Sequence, residues 1–342
     1  MAKKKTIYIF LAAGLFLAAI AAAAGAFYLS LNGNAVEKEG CVYVRSGETY
    51  DELFGELTGG GFLKRPARFD KTASLVGFDG DPVPGHYRLR EGMSYLQLAR
   101  TFQRGWQTPV RVTFNNVRTL PQLAGRLAGQ LEADSLQLAR VFLNDTIPAR
   151  YGYTPETFIG MFIPNTYEMY WTVSPAGFLD RMQQESGRFW NAEREQKRER
   201  TGLSRNEVIT LASIVYEETQ KTDEMPRVAG VYLNRLKTGM LLQADPTVKF
   251  AVGDFTLRRI LFVHLEADSP YNTYKYAGLP PGPICMPSVA AIDAVLNFED
   301  HHYYYFCARE DFSGYHNFAR TLAEHNRNAA RYQQALNQRG IR

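Results

Sequence analysis

Cysteine is scarce in this sequence, charge is nearly balanced, and the usual nucleophile signatures are missing. The three cysteines, Cys41, Cys285 and Cys307, make no CxxC pair and have no histidine partner at zinc-site spacing, so a cysteine-ligated metal fold is excluded. A net charge of +4 is small and evenly spread, and no aromatic-interleaved basic groove accompanies it. That pattern excludes a nucleic-acid partner. No GxSxG elbow or Cys/His signature is present, which removes support for a serine or cysteine hydrolase. No cofactor or metal is expected. In an exported chain, a Cys285–Cys307 bridge that leaves Cys41 over and three free thiols both stay open.

The 342 residues and 45% hydrophobic content leave room for two or three domains with real cores. Lys3, Lys4 and Lys5 precede an uncharged apolar run over 7–29, long enough to cross a bilayer core of roughly 30 Å. Lysines on that side keep the N-terminal end (1–6) in the cytoplasm and export the remainder. The alternative is a cleaved signal peptide, with small residues at 21–26 as the cleavage site. The run outlasts a usual signal core and continues through Phe27, Tyr28 and Leu29, so an uncleaved anchor is expected. Residues 30–40 read as a short polar stalk, and Cys41 lies too far past the run to be a lipidated N-terminal cysteine.

An internal repeat follows. Val44-Arg45-x-Gly47-x-Thr49-Tyr50-x-x-Leu53 matches Leu89-Arg90-x-Gly92-x-Ser94-Tyr95-x-x-Leu98 at one constant offset, with a fainter copy at Val112, Thr119, Leu120 and Leu123. Each copy predicts a short strand, a turn, and a Ser/Thr-capped helix. The first copy, VYVRSGETYDELFGEL, resembles the start of a LysM module, a small βααβ fold that binds N-acetylglucosamine-containing glycans. The resemblance implies a LysM-like subdomain over 41–110, without requiring that it bind glycan. The alternative is an ordinary strand–turn–helix unit.

The stretch at 204–219, SRNEVITLASIVYEET, reads as a helix opened by a Ser204/Glu207 capping box. Val208, Leu211, Ala212 and Val215 form an apolar stripe whose next step is Glu218. Glu217 falls on the side of Thr210, Ser213 and Lys221, with Lys221 as its i,i+4 partner. A carboxylate on a buried helix face has its pKa raised, which suits a general acid. The competing explanation is a structural glutamate neutralised by Arg227 or Arg235.

Around this helix lie segments suited to sugar recognition. Residues 160–171, GMFIPNTYEMYW, set Phe162, Pro164 and Thr166 among aromatics, a composition that fits a core edge equally well. The charge-alternating stretch 188–200 reads as a solvated helix face. Proline-fixed loops carry Gln243, Asp245 and Thr247, then Tyr271, Asn272, Thr273 and Tyr274, then Leu279 and Pro280. His301 and His302 are expected on opposite sides of an aromatic strand, unable to share a metal. After a final helix with Leu322 and His325, the tail 327–342 is expected in solvent.

LASIVYEET, NRLKTGMLLQADPTV, SPYNTY, GLPPGPI and YHNFARTLAEHN together resemble the YceG/MltG family of endolytic lytic transglycosylases of bacterial peptidoglycan. That resemblance implies an α+β chain: a transmembrane helix, a LysM-like βααβ subdomain and a larger mixed α+β catalytic domain over 111–342. It also implies cleavage of the MurNAc–GlcNAc β-1,4 bond of nascent strands with a 1,6-anhydro end, and an inner-membrane location with the catalytic domain periplasmic. Partners implied are peptidoglycan glycan strands, the membrane and peptidoglycan synthases. Glu218 would be the single acid/base, with the loop residues named above, Phe162, Pro164 and Thr166 binding substrate. Family members usually carry ExE at the helix end, whereas Tyr216 stands at the first position here; that departure touches the first carboxylate and leaves Glu218 aligned. Glu217 and Asp245 are the rivals for an assisting carboxylate. The alternatives are a hydrolytic muramidase, or a non-catalytic scaffold that binds cell-wall glycan.

Overall fold

A computed structural model describes residues 2–78, 80–257 and 259–340 of the chain. In order, the elements begin with α1 (Ala2–Asn32), β1 (Gly40–Val44), α2 (Tyr50–Gly59), α3 (Pro66–Leu75), β2 (Gly85–Leu89), α4 (Tyr95–Arg104) and β3 (Val110–Phe114). They continue with α5 (Leu120–Ala128), α6 (Ser135–Phe142), α7 (Ile147–Arg150), β4 (Asn165–Met169), α8 (Pro175–Phe189), α9 (Ala192–Thr201) and α10 (Arg205–Glu218). The last are α11 (Met225–Thr238), α12 (Asp245–Val252), α13 (Phe262–Leu265), α14 (Val289–Leu296), β5 (Tyr305–Ala308), β6 (His316–Ala319) and α15 (Leu322–Gln338). The fold is mixed α+β, with three two-stranded sheets pairing β1 with β2, β3 with β4, and β5 with β6 among the described residues.

Within α1, Leu11–Asn32 is long and apolar enough to cross a membrane, and its Leu15 and Phe16 side chains are exposed. The chain separates into two compact units. The first holds residues up to Arg111 with the short stretches Gln130–Glu132 and Glu168–Val173; the second holds the remainder.

In the first unit the repeat is directly visible. Thr49 and Ser94 each accept a hydrogen bond from the backbone N–H three residues on, opening α2 and α4, and Thr119 does the same for α5 of the second unit. Gly47 (φ +85°) and Gly92 (φ +86°) occupy equivalent turns, where a side chain would strain the left-handed backbone. α2 and α3 lie between β1 and β2 in sequence, and the two strands pair antiparallel with Val42 opposite Tyr87. Their inward residues join Leu53, Leu57, Phe69, Leu98 and Phe102 in one core.

The second unit is built on α10. Its capping box forms as expected, with Ser204 accepting from the Glu207 N–H. The apolar stripe is inside, but so is every residue of Val208–Val215, including Thr210 and Ser213. Buried hydroxyls need partners: Thr210 donates to the Asn206 carbonyl, while Ser213 donates to the Thr210 carbonyl and accepts the Ile284 N–H. The helix is therefore enclosed on all sides, by α11, α12 and α14 among others.

Several local expectations are corrected. α10 stops at Glu218, with Thr219 already extended (φ −143°), so Lys221 is off the helix. Its ammonium faces the Tyr315 ring, 4.9 Å from the centroid. Glu217 pairs with Arg118 at 2.5 Å. The stretch 188–200 is interrupted at the Asn191 cap, and Arg194 is not solvated alone: it forks onto Asp293 of α14 and stacks on Phe189. The aromatic strand starts only at Tyr305, so His301 lies outside it, with Nε2 2.9 Å from the Arg227 carbonyl. All three cysteines are free thiols, Cys285 being buried.

Gly230 in α11 marks a close approach: a Cβ there would run into the Glu299 carbonyl oxygen and come within 2.8 Å of His301 Nε2. The Glu299 N–H is tied to the Pro226 carbonyl, so that backbone cannot retreat freely. Gly230→Ala is expected to lose roughly 1–3 kcal/mol despite its better helix propensity. Urea unfolding of both proteins measures the difference.

Candidate active site

Glu218 ends α10 at the floor of a cavity of about 200 Å³, which is also lined by Tyr232, Arg235, Leu242, Gln243, Asp245, Tyr274 and Phe306. Tyr232, one face of α11, donates its hydroxyl to Glu218 Oε1 at 2.7 Å. Burial pushes the Glu218 carboxyl up to about 7, with the charge of Asp245 adding to the rise. The Tyr232 hydrogen bond, His316 and Arg235 pull the other way and are outweighed. The group therefore carries a proton about half the time near neutrality, the condition a general acid/base needs.

Neither arginine nominated as a neutralising partner pairs with it. Arg227 binds Glu299 at 2.9 Å. Arg235 is buried, and its guanidinium is used on carbonyls: Nε donates to Tyr304 O at 2.6 Å and Nη1 to Leu242 O at 2.7 Å. Its positive charge still acts on Glu218 across the pocket. The structural explanation for an inward glutamate thus fails on geometry, because the direct partner is a neutral phenol.

The loop residues divide into two groups. Gln243, Asp245 and Tyr274 line the cavity with Glu218, and the Tyr274 hydroxyl donates to Asp245 Oδ1 at 2.6 Å. Gln243 has a left-handed backbone (φ +49°), a conformation costly for any residue with a Cβ and typical of functional turns. Thr247, Asn272 and Thr273 are instead internal braces. Thr247 and Thr273 share a hydroxyl–hydroxyl contact of 2.8 Å, and Thr273 Oγ1 accepts the Ala244 N–H. Asn272 is fully buried, its amide spent on the Leu265 and Ala267 carbonyls and its oxygen on the Tyr274 N–H. These three are buried and hold the loops that present Gln243 and Tyr274.

Tyr271 leans on Phe250, ring centroids 4.5 Å apart. Leu279 packs against the core around α10, and Pro280 is buried. Phe162 is 1% exposed within an aromatic cluster with Phe142, Phe158 and Phe178, so it belongs to the core and not to a sugar platform. Thr166, on β4, contacts the Thr113 hydroxyl at 2.8 Å; Pro164 is half-buried just before that strand.

A larger cavity of about 880 Å³ also opens on Glu218. Glu217, Asp245, Pro246, Lys249, Arg259 and Ile260 border it, and its far wall is Tyr332, Gln333, Leu336 and Asn337 of α15. The tail described over 327–340 is mostly exposed, as expected, but four residues of its helix border the cavity. Tyr232 and this wall went unseen in the sequence, where Arg235 reads only as a neutralising partner. Tyr232 lies in an otherwise core-facing helix pattern, and nothing local links α15 to α10.

Tyr232→Phe removes the hydrogen bond that favours the ionised form of Glu218. The Glu218 titration is therefore expected to move to higher pH, read by ¹³C NMR of labelled glutamate. An unmoved titration would mean that the phenol donates elsewhere.

The chain is similar to several known proteins. The chain is 39% identical over 137 residues to the endolytic murein transglycosylase of Bacillus subtilis, covering 40% of this chain and 37% of that protein. It is 27% identical over 322 residues to the endolytic murein transglycosylase of Streptococcus pneumoniae, covering 85% of this chain and 58% of that protein. The chain therefore spans well under two thirds of either relative's length. A crystal structure of a YceG-like protein from Listeria monocytogenes superposes with a TM-score of 0.55 at 26% identity, covering 85% of this chain and 99% of that one. The model of the YceG-like family matches residues 42–331, and the chain belongs to that family.

Proposed function

We propose that the protein is an endolytic murein transglycosylase that cuts the MurNAc-β-1,4-GlcNAc bond of nascent glycan strands and so ends their elongation. The observation that carries this reading is the carboxyl of Glu218, raised to about 7 by burial and facing an open cavity. Glu218 protonates the leaving glycosidic oxygen. As carboxylate it then takes the proton of the substrate's own C6 hydroxyl, which closes the 1,6-anhydro ring on C1. An intramolecular nucleophile needs no second catalytic carboxylate and gains the advantage of a held geometry.

Gln243 and Tyr274 bind sugar hydroxyl and N-acetyl groups at the smaller cavity. α1 anchors the protein in the inner membrane with its lysine-bearing end cytoplasmic and the catalytic unit periplasmic, within reach of peptidoglycan synthases. The β1-α2-α3-β2 order of the first unit supports a LysM-like architecture.

One observation favours a hydrolytic muramidase as the second reading: Asp245 shares the small cavity with Glu218, and glycosidases that use water need two carboxylates. Mass spectrometry of products from defined glycan decides. Anhydro ends are expected; reducing MurNAc ends, one water heavier, would assign the hydrolase and make Asp245 its second group. Glu217→Gln is expected to leave the products and their rate nearly unchanged, because Glu217 is held by Arg118.

A further inference from the structure

The larger cavity is bordered by two cations that form no ion pair among the described residues. Its acidic groups are each accounted for: Glu217 by Arg118, Asp245 by the Tyr274 hydroxyl, and Glu218 by Tyr232 and its raised proton affinity. Lys249, on α12, and Arg259, in the loop before α13, have no ion pair or side-chain hydrogen bond among the described residues. A volume of about 880 Å³ lies in the range of well-formed ligand sites. The opposite wall supplies the Tyr332 ring and the Gln333 and Asn337 amides, groups that suit a hydroxyl- and amide-rich ligand.

We propose that Lys249 and Arg259 receive a carboxylate carried by the glycan, so that the cavity selects anionic strands over neutral β-1,4 glycans of the same backbone. This rests on the murein reading above and names the feature of the substrate that the cavity recognises. An arginine offers a carboxylate two parallel donors, and a lysine beside it adds a point charge. In murein the carboxylate has two sources: the lactyl group of peptide-free MurNAc, or the stem peptide. A chitin oligomer has neither.

The test uses full-length protein carrying Glu218→Gln, so that binding is read without turnover. Fluorescent chitohexaose, peptide-free murein strands and peptide-bearing murein strands of matched length are the probes. Murein strands are expected to bind about tenfold or more tightly than chitohexaose, the scale of one well-formed charge-assisted contact. Adding Lys249→Gln and Arg259→Gln should erase that margin while chitohexaose affinity holds, and Lys249→Arg should preserve it. Lys71→Gln, an exposed lysine of the first unit, controls for general charge. Preference for the peptide-bearing strand assigns the stem as source, and preference for the peptide-free strand assigns the lactyl group. Equal affinities for murein and chitin, or equal losses on both probes, would overturn the inference. Charge-dependent murein binding by a wild-type protein that never cleaves would instead sink the proposed activity and leave this inference standing.

Discussion

Glu218→Gln is expected to abolish glycan cleavage and, in the same protein, to change how stability depends on pH. Removing the one acid/base group should cost roughly 10²–10⁴-fold in rate. The stability effect follows from linkage. Folded Glu218 titrates near 7, against 4.5 when its carboxyl is free of the fold, so between those values the folded chain binds more protons than the unfolded one. The Glu218 contribution to stability is therefore fully present below pH 4.5 and is lost as pH rises through about 7. The shift corresponds to about 3 kcal/mol at roughly 1.4 kcal/mol per pH unit. Glutamine has no such proton to lose. The variant's stability relative to wild type should thus rise by about 3 kcal/mol between pH 4 and pH 8, whatever the amide costs locally. Chemical denaturation at several pH values reads this directly. Parallel curves would show that the carboxyl is solvated, and the assignment of Glu218 as the acid would go with them.

The second large effect is expected at Arg235. Arg235→Met retains the length of the aliphatic stem but strips the donors from the buried Leu242 carbonyl and the part-buried Tyr304 carbonyl. Buried acceptors left without donors cost roughly 1–3 kcal/mol each, so a loss of about 3 kcal/mol or more is expected. The same change removes a positive charge that lowers the Glu218 pKa. The alkaline limb of the pH–rate profile should then move upward, while a merely structural arginine would leave it in place. Arg235→Lys keeps the charge and loses the fork. It should restore the pH profile while recovering only part of the stability. Stability lost with an unshifted profile in both variants would confine Arg235 to bracing the loop at Leu242.

Much of this was legible in the sequence because the signals are local. The capped helices at Thr49, Ser94 and Ser204 follow from side-chain oxygens placed one turn ahead of free backbone N–H groups. Glu218 was legible because a helical period of 3.6 carries the apolar stripe onto it. The same periodicity gave no sign that Thr210 and Ser213 are buried as well; their hydroxyls donate to the Asn206 and Thr210 carbonyls, and that of Ser213 accepts the Ile284 N–H, so both enter the core at little cost. For a related reason nothing in the sequence shows that Asn272 and Thr273 brace their own loops. A polar side chain on a proline-rich loop looks the same whether its hydrogen bonds go to a sugar or to its own turn.

The sequence alone determined the apolar anchor segment, the repeated strand–turn–helix units and the one carboxylate that a helix delivers to a buried face, since each depends on neighbours within a few residues. Only the tertiary structure decided that a phenol from α11 holds that carboxylate, that Arg118 takes Glu217, and that α15 walls the cavity where Lys249 and Arg259 stand without an ion pair among the described residues. Those relations join residues far apart in the chain. They are set by which helix faces pack together, and that choice is made by the whole core at once and written in no single stretch of it.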